Sequence, residues 1–553
     1  MQHRKEERSV SNHKRSIVES KGAKGLSTWK YGLLVAGLAP VMAGSALAGD
    51  PTPERLWSHV LTGESYYKHT VSIGNHGSQV FCDTGYFSQN TRLYSSTDEL
   101  GSPVWENYNP ALSLLRVADS SDSNDVHAVW RQELSSTGGN IAKTYIYRSD
   151  SSSPLATYSF STTENSNGNG ACTVSDNGRW VTAATSVHTT VRLVRFDLMS
   201  SNPGAPGPEL LINHFGAVTD YHSSSDGSRL YLGGQTSGLI YDFSKGEIIF
   251  DNIYWEAAEP RGHSFSGDGR TIVVPQDGKT AIYRENSSGF SKLLEFAPFP
   301  SSSLEFPWAS AISEDGDIIV AAYAIKPTYL NYHVFAWRVS TGEQLLHHFE
   351  QGSGDYDNVP NKICISNSGD RFVVGSSGDE NGQSPELQVF QLNSQGSAYQ
   401  QSSAFNLPGS IYDMDLSGDG YHLAVSGRTA HQNSGTGSKV IEAFDLGTDF
   451  RVTGNPGEGD KINFEFTPSQ AAGIGYLLAS DNLSSNPAFS IGTLYLERLS
   501  MTLLPMDTPD AGGVLKLSNY SVEGSPGTTK YYQGYALDQR ELSDTWVPVT
   551  TLP

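Results

Sequence analysis

Trp255, Glu259, Arg261 and His263 crowd into one short stretch of the chain, and Tyr356-Asp357 and Tyr412-Asp413 repeat an aromatic–carboxylate pair further on. Trp308 stands between them in sequence. Aromatic faces flanked by charge make binding hot spots, where a ring stacks on a sugar or fills a partner's pocket. The same stretches hold titratable groups. Glu259, Arg261, His263, Asp357 and Asp413 are the candidates for acid–base work, provided the fold gathers them within hydrogen-bond reach. "DMDLSGDG" offers a third chemistry, since Asp413, Asp415 and Asp419 could serve as the carboxylates of a calcium loop. Their spacing is not that of an EF-hand. Calcium is therefore the one ion the sequence suggests, and no cofactor or metal is otherwise expected.

Other reactive signatures fail on geometry. Gly278-Lys279-Thr280 looks like the end of a phosphate loop, but that loop's first glycine would fall on Val273, and a strand follows instead of a helix. No Gly-x-Ser-x-Gly elbow occurs. His347-His348 and the remaining histidines show neither i, i+4 spacing on a helix nor pairing with cysteine.

The elements that must carry these residues come from a repeat. "RGHSFSGDGRTIVV", from Arg261, recurs as "CTVSDNGRWVTAAT" from Cys172, "YHSSSDGSRLYLGG" from Tyr221, "SAISEDGDIIVAAY" from Ser310, "ICISNSGDRFVVGS" from Ile363 and "MDLSGDGYHLAVSG" from Met414. Each copy is an apolar strand, a serine, two residues, a glycine and a second apolar strand. Asp-Gly or Asn-Gly supplies the positive φ of a tight hairpin, and the leading Ser can bond the turn backbone. The glycines Gly178, Gly227, Gly269, Gly316, Gly369 and Gly420 lie 42 to 53 residues apart. Two weaker copies precede them, with Gly77 before Val80 and Ser123 before Val126. That makes eight units over residues 52–450, with seven as the alternative count.

A third strand ending in an aromatic follows each hairpin, and a fourth often follows that. Four strands per unit and no helical pattern predict a β-propeller. Pro260, Pro307 and Pro360, each six residues before a repeat serine, mark the starts of inner strands, where a missing N–H is tolerated. "PERLWSHVL", residues 53–61, is left over. It would close the ring as the outer strand of the last blade, leaving no free edge.

This grammar resembles that of WD-repeat and YVTN-type propellers over residues 52–450, although the Trp-Asp dipeptide itself is absent. The resemblance implies a ring whose Ser-x-x-Gly turns share one face. The loops between second and third strands, and between blades, then share the other face around the channel. All the candidates above are expected there, together with Arg428 and His431. His263 and His222 lie three and two residues before their serines, so strand alternation predicts opposite faces and no shared site. Sialidase-type Asp boxes need a residue between Asp and Gly, whereas Asp268 and Gly269 are adjacent. The eight-bladed quinoprotein dehydrogenases carry an adjacent cysteine pair that this chain lacks.

Residues 451–460 read as a linker. Residues 461–553 read as some six strands of a small β-sandwich, similar to C-terminal modules of secreted bacterial proteins. Residues 1–48 read as a signal peptide cleaved after Ala48: a charged segment, the apolar run "YGLLVAGLAPVMAG", then Ala-Leu-Ala. That run contains Pro40 and is too short to span ~30 Å of hydrocarbon. The mature chain would carry 29 basic and 56 acidic residues, a net of −27. Such a surface repels nucleic acid and anionic lipid. Three distant cysteines, Cys82, Cys172 and Cys364, do not make a disulfide scaffold and read as buried thiols.

The expectation is an all-β chain: an eight-bladed propeller followed by a small β-sandwich, secreted or periplasmic. It is expected to be non-enzymatic and to bind a protein or glycan, with neither a nucleic-acid partner nor a transmembrane segment after cleavage. Trp255, Glu259, Arg261, His263, Trp308, Tyr356, Asp357, Tyr412 and Asp413 would form the binding set. The rival expectation is an exported propeller hydrolase, lyase or lactonase with its site at the channel mouth.

Overall fold

A computed structural model describes residues 53–550, apart from loop stretches such as 62–69, 84–89, 161–169, 214–217 and 254–261; past residue 450 it describes mainly strand backbone. The expected signal peptide lies outside the described residues.

Eight four-stranded antiparallel sheets make the ring. Seven are consecutive in the chain, over residues 70–108, 113–159, 170–213, 218–253, 264–296, 305–351 and 360–405. The eighth takes its three inner strands from Ile411–Leu416, His422–Arg428 and Lys439–Asp445 and its outer strand from Glu54–Leu61. That outer strand pairs antiparallel from Glu54↔Asp445 to Leu61↔Lys439. Arg55 Nη1 reaches Glu442 Oε1 at 2.9 Å across the seam. The leftover stretch thus closes the ring, and the count is eight. Each inner strand contacts the inner strand of the next blade, and the last contacts the first.

The repeat turn is built by its serine. Ser266 Oγ donates to Asp268 Oδ1 (2.5 Å) and accepts the Thr271 N–H (2.9 Å), while the Gly269 N–H donates to the Ser266 carbonyl (2.9 Å). Gly269 has a φ of 69°, which a side chain adopts only under strain. In the second blade the positive φ, 58°, belongs to Asn124. Asn124 N–H donates to the Ser121 carbonyl, and Ser121 N–H donates to Val126, both at 2.9 Å. Asn124, not Ser123, therefore occupies the glycine position, because asparagine tolerates the left-handed region better than serine. In the first blade Gly74 replaces the serine, and Asn124 Oδ1 accepts its N–H (2.9 Å).

Backbone bonds also run from turn to turn. Asp122 N–H donates to Asp176 O, Asp176 to Ser225, Ser225 to Gly267, Asp268 to Glu314, Glu314 to Asn367 and Asn367 to Gly418, at 2.8–3.0 Å. The residue after each repeat serine is thereby clamped in a belt around one mouth of the channel.

Apolar layers fill the space between blades. In one, Val126, Trp130 and Ile146 pack with Val174, Val181 and Phe196 of the next blade. Between the first two blades lies a fully buried ion pair, Arg131 with Asp83, with Arg131 Nε donating at 2.8 Å. Cys82, Cys172 and Cys364 are buried free thiols.

The C-terminal region is also β. Phe450–Gly454, Lys461–Phe466 and Leu515–Ser521 form one antiparallel sheet. Gly475–Ser480 and Thr529–Ala536 lead a second with Thr502–Pro505, Glu541–Leu542 and Val547–Thr550. No helix among the described residues is long and apolar enough to cross a membrane.

Candidate functional site

Four inner strands break register at the same place. The breaks fall between Val218 and Asp220, Pro307 and Ala309, Pro360 and Lys362, and Ile411 and Asp413. These positions stand six and four residues before Ser224, Ser313, Ser366 and Ser417. The residue passed over (Thr219, Trp308, Asn361 or Tyr412) is a β-bulge, a device that re-aims side chains near functional rims. A bulge leaves a ladder position unused, which is where proline is tolerated.

This corrects the reading of the prolines. Pro360 does begin its strand, but Pro307 is the third residue of Glu305–Ile312, and Pro260 lies outside the described residues. It also moves three candidates off the loops: Trp308, Tyr412 and Asp413 belong to inner strands.

After the bulge, alternate residues of the inner strands turn charge toward the channel. Four residues before the serine stand Asp220, Lys362 and Asp413. Lys362 Nζ lies 3.3 Å from Asp413 Oδ1 and keeps 47% of its side-chain surface accessible. Asp413, followed by burial acting the other way, leaves the Lys362 ammonium held above its ordinary range. Asp413 Oδ2 accepts from Thr70 Oγ1 (2.9 Å) and the Val71 N–H (3.3 Å) of the first blade.

Two residues before the serine stand Asp119, His222 and Asp415. Burial pushes Asp119 up to about 7 and Asp415 up to about 6. Burial lowers His222 to about 4; Asp220 opposes this, and Lys362, three blades away, adds to it. His222 is therefore neutral near pH 7.

One residue after the serine, at the turn mouth, stand Asp122, Asp176 and Glu314. Burial, then Asp176 and Glu314, raise Asp122 to about 8. Burial raises Asp176 to about 6, and Glu314 is shifted upward too. Glu314 comes from the sixth blade and Asp122 from the second, so the repulsion acts across the ring. Ser225 Oγ donates to Glu314 Oε1 at 2.5 Å.

His263 and His222 are not kept apart. His222 lies on Val218–Ser223, and His263 immediately precedes Ser264–Phe265, the inner strand of the next blade. His263 Nδ1 sits 2.9 Å from Asp220 Oδ2, and His222 interacts with the His263 backbone. Alternation within one strand says nothing about the approach of the next.

On the other face, three segments meet. Tyr356 stacks on His431, with centroids 4.7 Å apart and planes 22° apart. His431 Nε2 lies 3.0 Å from the Asp357 carbonyl and 3.1 Å from that of Gly378. Asp357 accepts from Gln432 Nε2 (3.0 Å) and from Asn433 Nδ2. Below them Arg428 Nη1 donates to Tyr412 Oη at 3.4 Å. Beside this cluster Trp308 lies edge-on to Phe306 and Tyr329, and Lys326 Nζ sits 4.3 Å over the Phe306 ring.

Of the expected set, Tyr356, Asp357 and Tyr412 come together with His431 and Arg428. Asp413 belongs to the inner strands instead, and His263 is buried between the fourth and fifth blades against Tyr231. Trp255, Glu259 and Arg261 lie outside the described residues. The calcium stretch divides. Asp413 and Asp415 bond the first blade, whereas Asp419 Oδ1 caps its own turn from Ser417 Oγ (2.5 Å) and Tyr421 N–H (3.0 Å). Among the described residues no group of three or more His, Cys, Asp or Glu side chains is placed to hold a metal ion.

Sequence reading weighed His222 only against His263, and passed over Asp119, Asp122, Asp176, Asp220, Glu314 and Lys362. Their signal is a column. Read at fixed offsets from the repeat serine, they fall into the three tiers above.

No family model and no curated protein matches the chain. Solved structures do resemble it. The β-propeller domain of Myceliophteria thermophila Cps50 (Swd1) is 11% identical over 70% of this chain and 99% of that one, with a TM-score of 0.42. A chain of the mitotic checkpoint complex is 13% identical over 76% and 98%, with a TM-score of 0.41. The Dos1 propeller is 12% identical over 72% and 97%, with a TM-score of 0.48. The likeness is one of propeller architecture and goes no further.

Proposed function

We propose that this chain is an exported, non-enzymatic propeller that binds a protein or glycan partner through the loop face around its channel. Its C-terminal strands would act as a small sandwich module for attachment or spacing. The supporting observation is the Tyr356–His431 stack, fixed by Asp357 and the Gly378 carbonyl. An aromatic held by hydrogen bonds from three segments offers contact area at little cost in conformational entropy. The acidic surface favours a neutral or basic partner over nucleic acid.

The test is a thermal-shift screen of the full chain against glycans and candidate partner proteins, followed by Tyr356→Ala and Trp308→Ala. A ligand at about 100 times its Kd adds ~2.7 kcal/mol of stability. The expected result is a ligand whose affinity falls at least tenfold in both variants. A ligand bound with unchanged affinity by both variants would overturn the assignment to this face.

A second reading, an exported propeller hydrolase, lyase or lactonase, is favoured by the channel. Asp220 meets His263 at the seam of the fourth and fifth blades, and Lys362 meets Asp413 at that of the seventh and eighth, so the inner strands carry two acid–base pairs. Turnover of an ester, glycoside or lactone that disappears in Asp413→Asn would select it over the binding reading.

A further inference from the structure

His333 and His347 stand on the third and outer strands of the sixth blade. The ladder sets His333 opposite Phe349 and Phe335 opposite His347, so all four side chains share one face of the sheet. His333 Nδ1 lies 3.0 Å from His347 Nε2. Both rings are held by neighbours. His347 stacks on Phe335 at 4.4 Å with planes 7° apart, and His333 lies 4.8 Å from Phe349 and 4.9 Å from Phe299. His347 is exposed and His333 half-buried, so the pair is reachable from solvent. Burial, and then His347, hold His333 below its ordinary range, with Glu305 opposing them.

Two ring nitrogens facing at this distance hold one proton between two lone pairs, and a metal ion can take the proton's place. We propose that His333 Nδ1 and His347 Nε2 form a surface site for a divalent transition metal of the copper(II) or nickel(II) type, with water completing the coordination. A right-angle arrangement asks for the smaller movement of the rings. With metal–nitrogen bonds of about 2.0–2.1 Å, ligands at a right angle stand about 2.9 Å apart, whereas tetrahedral ligands stand about 3.3 Å apart. The 3.0 Å between the ring nitrogens is a hydrogen-bond distance, and it stands nearer the right-angle span than the tetrahedral one. Affinity for a nitrogen site peaks at copper(II) along the first row. The aromatic clamps mean that little ring freedom is lost on binding. The neighbouring His348 faces the other side of the sheet, with Nε2 3.1 Å from Glu350 and its ring against Phe390.

Copper(II) titration of the metal-free full chain, read by calorimetry and by electron paramagnetic resonance, tests the site. Fifteen histidines give a background, so the difference between variants is the measurement. The wild type should bind one equivalent more than His347→Ala, with nitrogen splitting from two imidazoles. His333→Gln should lose the same equivalent or weaken it at least tenfold, and His348→Ala should keep it. Exposed His347 can be replaced without disturbing the core, and circular dichroism checks both variants. Identical stoichiometry and spectra in the wild type and His347→Ala would overturn the proposal, as would loss of the equivalent in His348→Ala.

Discussion

Asp415 of the eighth blade accepts hydrogen bonds from Ser72 Oγ (3.1 Å) and the Ile73 N–H (2.9 Å) of the first blade, joining the two ends of the propeller at its inner seam. Asp119 of the second blade does the same to the third, accepting the Val174 N–H at 2.7 Å. The ring is therefore closed twice, by the outer strand Glu54–Leu61 and by inner carboxylates. Replacing Asp415 by Ala strands a buried N–H and a hydroxyl, which costs about 1–3 kcal/mol. Asp415→Asn keeps an acceptor and should cost less. Thermal midpoints at one scan rate compare the two, and a wild-type midpoint in Asp415→Ala would refute the inner seam's contribution.

Acidification should stabilise the chain across a defined window. Asp122, Asp119, Asp176 and Asp415 are raised to about 8, 7, 6 and 6, chiefly by burial. Unfolded, each titrates near ~4. Between roughly pH 4 and 8 these four groups bind more protons folded than unfolded and outnumber His222 and His127, which burial lowers to about 4 and about 3 and which act the other way, so stability falls as pH rises through that range. The midpoint should be higher at pH 5.5 than at pH 8.5. Asp122→Asn should raise the midpoint at pH 8.5 and reduce the difference. A midpoint that climbs from pH 5.5 to 8.5 in the wild type would contradict the assignment.

Asn124 performs two tasks that separate by mutation. Its backbone takes a φ of 58°, and its side chain accepts from Gly74 N–H and donates to Ser78 Oγ (3.0 Å). Asn124→Gly keeps the turn and loses the hydrogen bonds, at about 1–2 kcal/mol. Asn124→Ala loses both, adding about 1 kcal/mol of backbone strain. Ser123→Ala, at an exposed neighbour, should fall within about 0.5 kcal/mol of the wild type. Urea denaturation ranks the three, and Ser123→Ala as the most damaging would restore the other alignment.

Calcium should leave the fold unmoved. The carboxylates of Asp413, Asp415 and Asp419 are engaged by Thr70 and Val71, by Ser72 and Ile73, and by Ser417 and Tyr421 respectively. Coordination would require giving up those bonds. Millimolar calcium and a chelator should give the full chain the same midpoint to about 1 °C. A chelator-reversible rise above that would support the calcium loop.

Much of the architecture was legible in the chain. The Ser-x-x-Gly period marks the first hairpin of six blades because positive φ and a serine cap are local demands, met by a few residue types. The leftover "PERLWSHVL" marked the closure because a ring with one strand too few must borrow one. The misread copy at Asn124 shows the limit of that local code, since asparagine and glycine serve the same φ. On the loop face, Tyr356, Asp357 and Tyr412 were found by type, but their link to His431 and Arg428 spans residues 356 to 431.

Local chemistry, then, determined the blades and the turn that ends each inner strand, and the pairing of Glu54–Leu61 with Lys439–Asp445 fixed their number at eight. Which side chains share the channel was decided only when eight inner strands closed on one axis. A bulge in each of four strands reset the alternation there, and ring closure placed Lys362 within the field of His222 and Glu314 within that of Asp122. Strand periodicity reports the two sides of one sheet, and a channel belongs to all eight.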